Sequence, residues 1–161
     1  MRKEYIVSTL VENKPGVLHR TSNVFRQRGY NIKSISVGEM EDPSMSRMTF
    51  TIEAEESAIG QLNRVMDKQI DVVEVKSLDS AKAVKRELAL VKISVADPGM
   101  RSDILTISNI FRGRIVDVSV HSTMVEVTGT PDKIVAFLEL ASKFGILEIA
   151  RTGVAALERG D

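Results

Sequence analysis

Short stretches of alternating apolar and polar residues occur in both halves of the chain. Residues 33–37 and 117–120 alternate with period two, which is typical of a strand with one buried face. Residues 47–52 and 123–127 predict the next strand of each half. Each half also contains a segment whose apolar residues lie three or four positions apart, which predicts a helix with one buried face. These residues are Ile59, Leu62, Val65 and Met66 in the first half, and Ile134, Val135, Phe137, Leu138 and Ala141 in the second.

The two halves repeat one order of elements, each with an apolar strand that ends in a Pro-Gly pair and leads into a helix. The pairs are Pro15-Gly16 and Pro98-Gly99, and the helices end near Phe25-Arg26 and Phe111-Arg112. Residues 72–75 and 146–149 are predicted to form the last strand of each half. Each half therefore has the order strand, helix, strand, strand, helix, strand. This order predicts an α+β protein of two ferredoxin-like βαββαβ domains, with antiparallel sheets and helices on one face. We place the domains at residues 1–78 and 88–161, joined by a charged linker at residues 79–87.

Composition and charge narrow the possible functions. Of the 161 residues, 43% are hydrophobic and 27% are charged, which is ordinary for a globular protein. Lys plus Arg equals Asp plus Glu at 22 each, so there is no basic excess for binding a nucleic acid. The sequence contains no cysteine, no signal peptide and no apolar run of about 18 residues, which predicts a cytoplasmic protein outside the membrane.

The Pro-Gly turn of the first half offers the groups that bind a free amino acid. Pro15 presets a turn, and Gly16 allows a positive φ where a helix begins. A helix start presents unpaired amides and a positive dipole end, which suit a carboxylate. Here those amides belong to Gly16, Val17 and Leu18, and the side-chain oxygen of Asn13 can accept from an ammonium group. The turn therefore predicts a site for a small zwitterion.

Taken alone, this motif is weak, because a Pro-Gly pair before a helix is most often only a turn. The second half offers an internal comparison, since its turn is one residue shorter and begins with Asp97. A carboxylate there would repel the carboxylate of a ligand. We therefore expect the first half, and not the second, to bind the amino acid.

The sequence around both turns resembles the regulatory (small) subunit of acetolactate synthase. The resemblance covers essentially the whole chain. It rests on residues 10–18, 26–35, 46–49, 90–93, 110–118 and 150–154.

This resemblance implies that residues 1–78 form an ACT domain, through which two chains form a homodimer. It further implies that valine, or another branched-chain end product, binds at the dimer interface. The partner is a large catalytic subunit, which carries thiamine diphosphate, Mg²⁺ and FAD and makes acetolactate from pyruvate. The small subunit activates it and confers feedback inhibition, and holds no cofactor, metal or catalytic residue of its own. By resemblance the effector contacts are Asn13, Gly16, Val17 and Leu18 of one protomer, and Asn31 and Ile32 from the other.

The sequence also bears on three other functions. An RNA-recognition module shares this strand order but needs aromatic residues on its middle strands, where residues 48–52 contain only Phe50. An enzyme is not indicated, because there is no nucleophile elbow, P-loop, GxGxxG or metal-ligand spacing. An ACT-type sensor that regulates a different enzyme stays open as the alternative.

Overall fold

The computed structural model describes residues 1–160 and divides them into two compact units. The first unit consists of residues 1–84 together with residues 154–160, and the second of Lys85–Gly153. Among the described helices, none is long and apolar enough to cross a membrane.

The first unit has the predicted βαββαβ order. Its elements are β1 (Lys3–Glu12), α1 (Val17–Gln27), β2 (Ile32–Glu39), β3 (Met45–Ala54), α2 (Glu56–Asp67) and β4 (Val72–Leu78). The strands form an antiparallel sheet in the order β2-β3-β1-β4. Val7 lies opposite Phe50 in the register of β1 and β3, and both side chains are fully buried. Phe25 of α1 stacks on Phe50 with ring centroids 4.5 Å apart, which fixes the helix on this face of the sheet.

The second unit repeats this arrangement. Its elements are β5 (Ala83–Ser94), α3 (Pro98–Ile110), β6 (Arg114–Val118), β7 (Ser122–Gly129), α4 (Pro131–Ala141) and β8 (Ile146–Arg151). The strand order is β6-β7-β5-β8, and a last strand, β9 (Ala155–Glu158), belongs to the first unit. Phe111 and Phe137 meet edge to face in its core at 5.5 Å. The predicted pair of ferredoxin-like folds is confirmed.

The structure differs from the sequence analysis at the join between the halves. Residues 83–87, which we assigned to the linker, form the start of β5. Residues 154–160, which we assigned to the second domain, group with the first unit. Val154 and Ala156 join a small apolar cluster of that unit, which also contains Ile6, Leu78 and Ala83.

Candidate functional site

The turn between β1 and α1 has a defined shape. The backbone amide of Asn13 donates to the Ser44 carbonyl at 2.7 Å, which ties the end of β1 to the neighbouring loop. Gly16 precedes the first residue of α1 and has φ of 83°, in the left-handed region that glycine adopts without strain. The predicted helix start is therefore confirmed, and the backbone angle favours glycine there.

The amides at the start of α1 are largely free. Gly16, at the N-cap position, has no side chain to accept from them. The sequence predicted three free amides, but the amide of Val17 donates to the Lys14 carbonyl at 3.3 Å. Those of Gly16 and Leu18 have no partner in the part of the chain that the structure describes. The Val17 side chain is buried in the core, whereas Leu18 is 47% exposed and can contact a ligand.

Asn13 is held in one orientation by the loop between β2 and β3. Its Nδ2 donates to Glu39 Oε1 at 3.0 Å and to the Pro43 carbonyl at 2.9 Å. The Asn13 oxygen must then point the opposite way, because the amide group is planar. The loop itself is ordered by Asp42, whose carboxylate accepts from the Ser44 hydroxyl at 2.7 Å and the Ser44 amide at 2.9 Å. These two hydrogen bonds lower the pKa of Asp42 below its ordinary value.

Arg20 adds a cation that the sequence analysis missed. Its Nη1 lies 2.8 Å from the position that a Cβ on Gly16 would take. The Arg20 Nε is paired with Asp71 Oδ2 at 2.7 Å, and Asp71 is buried. The carbonyl of Asp71 accepts from the amide of Glu12 at 2.9 Å, so this pair anchors Arg20 to the end of β1. A carboxylate at the start of α1 would therefore meet both free amides and a guanidinium.

Asn31 and Ile32 lie elsewhere in the same protomer. They line a cavity of about 420 Å³ beyond the C-terminal end of α1, together with Phe25, Arg26 and Tyr30. The 11 residues of α1 span about 16 Å, so this cavity and the Gly16 turn lie at opposite ends of the helix. One protomer does not bring the two predicted groups together. A site that used both groups would need a second chain.

In the corresponding turn of the second unit, a side chain of the turn caps the start of the helix. Asp97, at the N-cap position of α3, accepts a hydrogen bond from the Met100 amide at 3.0 Å. A protein carboxylate thus satisfies the helix start where, in the first unit, the amides stay free. This difference favours the first unit as the binding unit.

Within residues 1–160, no group of three or more His, Asp or Glu side chains could hold a metal ion.

Comparison with known proteins assigns both units to one kind of subunit. A family model described as "AHAS small subunit-like ACT domain" matches residues 7–74, and one described as "Small subunit of acetolactate synthase" matches residues 86–160. The probable acetolactate synthase small subunit of Methanothermobacter thermautotrophicus is 49% identical over 156 residues, which cover 97% of this chain and 93% of that protein. The acetolactate synthase small subunit of Bacillus subtilis is 45% identical, with 96% and 90% covered. The crystal structure of the acetolactate synthase small subunit from Thermotoga maritima superposes with a TM-score of 0.92, at 38% identity and 99% coverage of both chains.

Proposed function

The chain belongs to the acetolactate synthase small-subunit family, and on this premise we propose that it senses valine or a related branched-chain amino acid for the catalytic large subunit. The observation that carries the proposal is the open start of α1, where Gly16 leaves backbone amides without a partner. The chain itself performs no chemistry in this scheme. Acetolactate formation belongs to the large subunit, with its thiamine diphosphate, Mg²⁺ and FAD.

The site recognises each charged group of the effector by a different means. The effector carboxylate accepts from the amides of Gly16 and Leu18 and pairs with Arg20, whose Nη1 lies over the turn. Hydrogen bonds to a charged group contribute about 1.5–3 kcal/mol each. The effector ammonium donates to the Asn13 oxygen, which Glu39 and Pro43 hold in place.

The partner protomer completes the site. Its ACT domain contributes a second neutral amide oxygen from Asn31 and an apolar contact from Ile32, since the protomer's own copies lie at the far end of α1. The exposed side chain of Leu18 faces the branched side chain of the effector. An effector bound in this way bridges two chains.

Bridging gives the effector a means of regulation. An effector shifts a protein between two states only if it binds them unequally, with couplings of typically about 1–3 kcal/mol. Valine that contacts both ACT domains binds one mutual orientation of the domains better than any other. That orientation holds the large subunit in its less active state.

The test is reconstitution with the large subunit from the same source, followed by an assay of acetolactate formation with and without valine. We expect the chain to raise the activity and valine to lower it again, with no effect of aspartate. Calorimetry on the chain alone should give heat for valine and none for aspartate. Heat with no effect on the large subunit would instead support the alternative, an ACT-type sensor for a different enzyme. No heat with valine, leucine or isoleucine would rule out the sensor.

A further inference from the structure

Both units end their first helix with the same hydrogen-bonded turn. In the first unit, the Tyr30 amide donates to the Phe25 carbonyl at 3.0 Å and the Gly29 amide to the Arg26 carbonyl at 3.1 Å. This pair of bonds defines a Schellman motif, in which the first residue past the cap takes a positive φ. That residue is Gly29, with φ of 73°. Glycine is the usual residue at this position.

The second unit builds the same turn with an arginine in the glycine position. The Gly113 amide donates to the Ser108 carbonyl at 2.7 Å and the Arg112 amide to the Asn109 carbonyl at 3.1 Å. Arg112 has φ of 54°, and no other non-glycine residue in the described chain has a positive φ. A side chain is strained in this region, because its Cβ crowds the backbone. The internal repeat thus provides its own reference, with an unstrained glycine in one copy and a strained arginine in the other.

The fold, and not Arg112, imposes this conformation. A Cβ on the next residue, Gly113, would lie 3.1 Å from the Glu126 carbonyl and 3.2 Å from the side chains of Val125 and Val127. The close packing of Gly113 against β7 therefore fixes the path of the turn. Arg112 has to accept the angle that this path gives it.

The Arg112 side chain gains nothing within its own chain. It is exposed and makes no hydrogen bond or ion pair with any described residue. Other arginines of the chain do find partners: Arg20 pairs with Asp71, and Arg151 with Glu87. Backbone strain that brings no local contact is typical of a residue used for a function outside the protomer.

The exposed residues that flank Arg112 in the sequence include basic and apolar side chains, while the acidic residues nearby are Asp117 of β6 and Glu126, which lies opposite Arg114. Arg114 is also exposed and without an ion pair in the described residues, and Ile110 and Val116 are 70% and 49% exposed. We call Ile110, Arg112, Arg114 and Val116 together the α3–β6 corner. It lies at β6, a strand with one open edge in the sheet order. Arginine beside apolar side chains is the composition of a protein interface core.

We propose that the α3–β6 corner binds a carboxylate-bearing surface of the catalytic large subunit, with Arg112 as its central contact. This inference rests on the proposed function, which supplies the large subunit as partner. A second copy of the chain fits less well, because a two-fold contact would bring two Arg112–Arg114 pairs together and like charges repel. A nucleic acid fits less well because the whole chain has a net charge of zero.

The test compares Arg112→Gly with wild type in binding the purified large subunit, using the full chain. Arg112→Gly should bind about tenfold or more weakly, because a docking cation is lost. The same substitution should raise the midpoint of thermal unfolding by roughly 2–4 °C, because glycine relieves the strain. Loss of binding together with a gain in stability cannot come from misfolding.

Two further variants sharpen the result. Arg28→Gly removes an exposed arginine beside the equivalent turn of the first unit and should leave the affinity unchanged. Arg112→Lys keeps the charge and should bind more tightly than Arg112→Gly, because the ammonium can still pair with a carboxylate. The proposal is overturned if Arg112→Gly binds like wild type, melts at a lower temperature, or binds no more weakly than Arg112→Lys. It is also overturned if the variant's only defect is in self-association. A wild-type chain that does not bind the large subunit at all would refute the proposed function instead.

Discussion

Gly16 has a φ of 83° immediately before the first residue of α1. Two properties of Gly16 matter for the site. The backbone angle excludes most side chains on steric grounds, and the missing Cβ leaves the space in which Arg20 Nη1 lies. A glycine here is needed both for the turn and for access to the amides behind it.

Gly16→Asp should strongly weaken inhibition by valine and leave activation of the large subunit intact. The new carboxylate would accept from the amides of α1, as Asp97 accepts from the Met100 amide in the second unit. It would also pair with Arg20. A loss of about 2 kcal/mol in the free energy of effector binding raises the valine concentration for half-inhibition by roughly 30-fold. Acetolactate formation by the reconstituted enzyme, titrated with valine, measures this.

Gly60→Asp is the matched control for that experiment. Gly60 is exposed on α2, and a Cβ there would meet no atom within 4 Å. It adds the same charge to the same unit and should leave valine sensitivity unchanged. A Gly16→Asp enzyme that valine still inhibits fully would mean that the effector binds elsewhere.

Sequence reasoning found the residues of the turn but missed those that support it. Asn13 and Gly16 are visible because a turn has local chemistry. Arg20 could not be assigned, because its partner Asp71 is 51 residues away, and the Asn13–Glu39 bond spans 26 residues. Contacts at such separations depend on how the strands pair, which no local pattern contains.

At the scale of elements, β5 shows how a tertiary partner changes a local pattern. Residues 83–87 are mostly polar or charged, which favoured a linker, yet they begin a strand. Glu87 is buried there because Arg151 of β8 donates to both of its oxygens, from Nε at 2.5 Å and Nη2 at 3.0 Å. These hydrogen bonds raise the pKa of the Arg151 guanidinium above its ordinary value. A buried carboxylate cannot be predicted from sequence when its partner lies in another strand.

Arg151→Met should destabilise the second unit, because it leaves the Glu87 carboxylate buried without a counter-ion. The Glu87 side chain is 4% exposed and that of Arg151 38%, so solvent screens part of the pair. We expect a loss of about 2 kcal/mol in the free energy of unfolding, measured by urea denaturation. The double variant Arg151→Met with Glu87→Met should recover most of it. A double variant less stable than the single one would show that the ion pair is not the cause.

The other differences between the predicted and the observed strands have local causes. The strand predicted at residues 117–120 is observed at Arg114–Val118, where the register with β7 shifts between Ile115 and Asp117. A bulge of this kind interrupts the period of two on which the prediction relied. Strand β9 has four residues and follows no period, so nothing in the sequence marked it.

At the scale of the whole molecule, both units have the same order of elements, but the two ends of their first helix differ. The first helix starts with free amides in the first unit and with a capping aspartate in the second. The same helix ends with glycine in the first unit and with a strained arginine in the second. We infer a division of labour, in which one copy binds the effector and the other contacts the catalytic subunit. The repeat and the first contrast were visible in the sequence, whereas the second depended on a backbone angle.

Residues 154–160 belong to the same unit as the first residues of the chain, which leads to a prediction that separates the two units. Ala156 is 5% exposed and packs in the cluster with Ile6, Leu78 and Val154, whereas the adjacent Leu157 is 61% exposed. Ala156→Asp buries an unpaired charge and should lower the free energy of unfolding by about 3 kcal/mol, while Leu157→Asp should change it by less than about 0.5 kcal/mol. Hydrogen exchange should rise in β1 and β4 of Ala156→Asp and stay unchanged in β6 and β7. Faster exchange in β6 and β7 instead would place the end of the chain in the second unit, as the sequence alone had suggested.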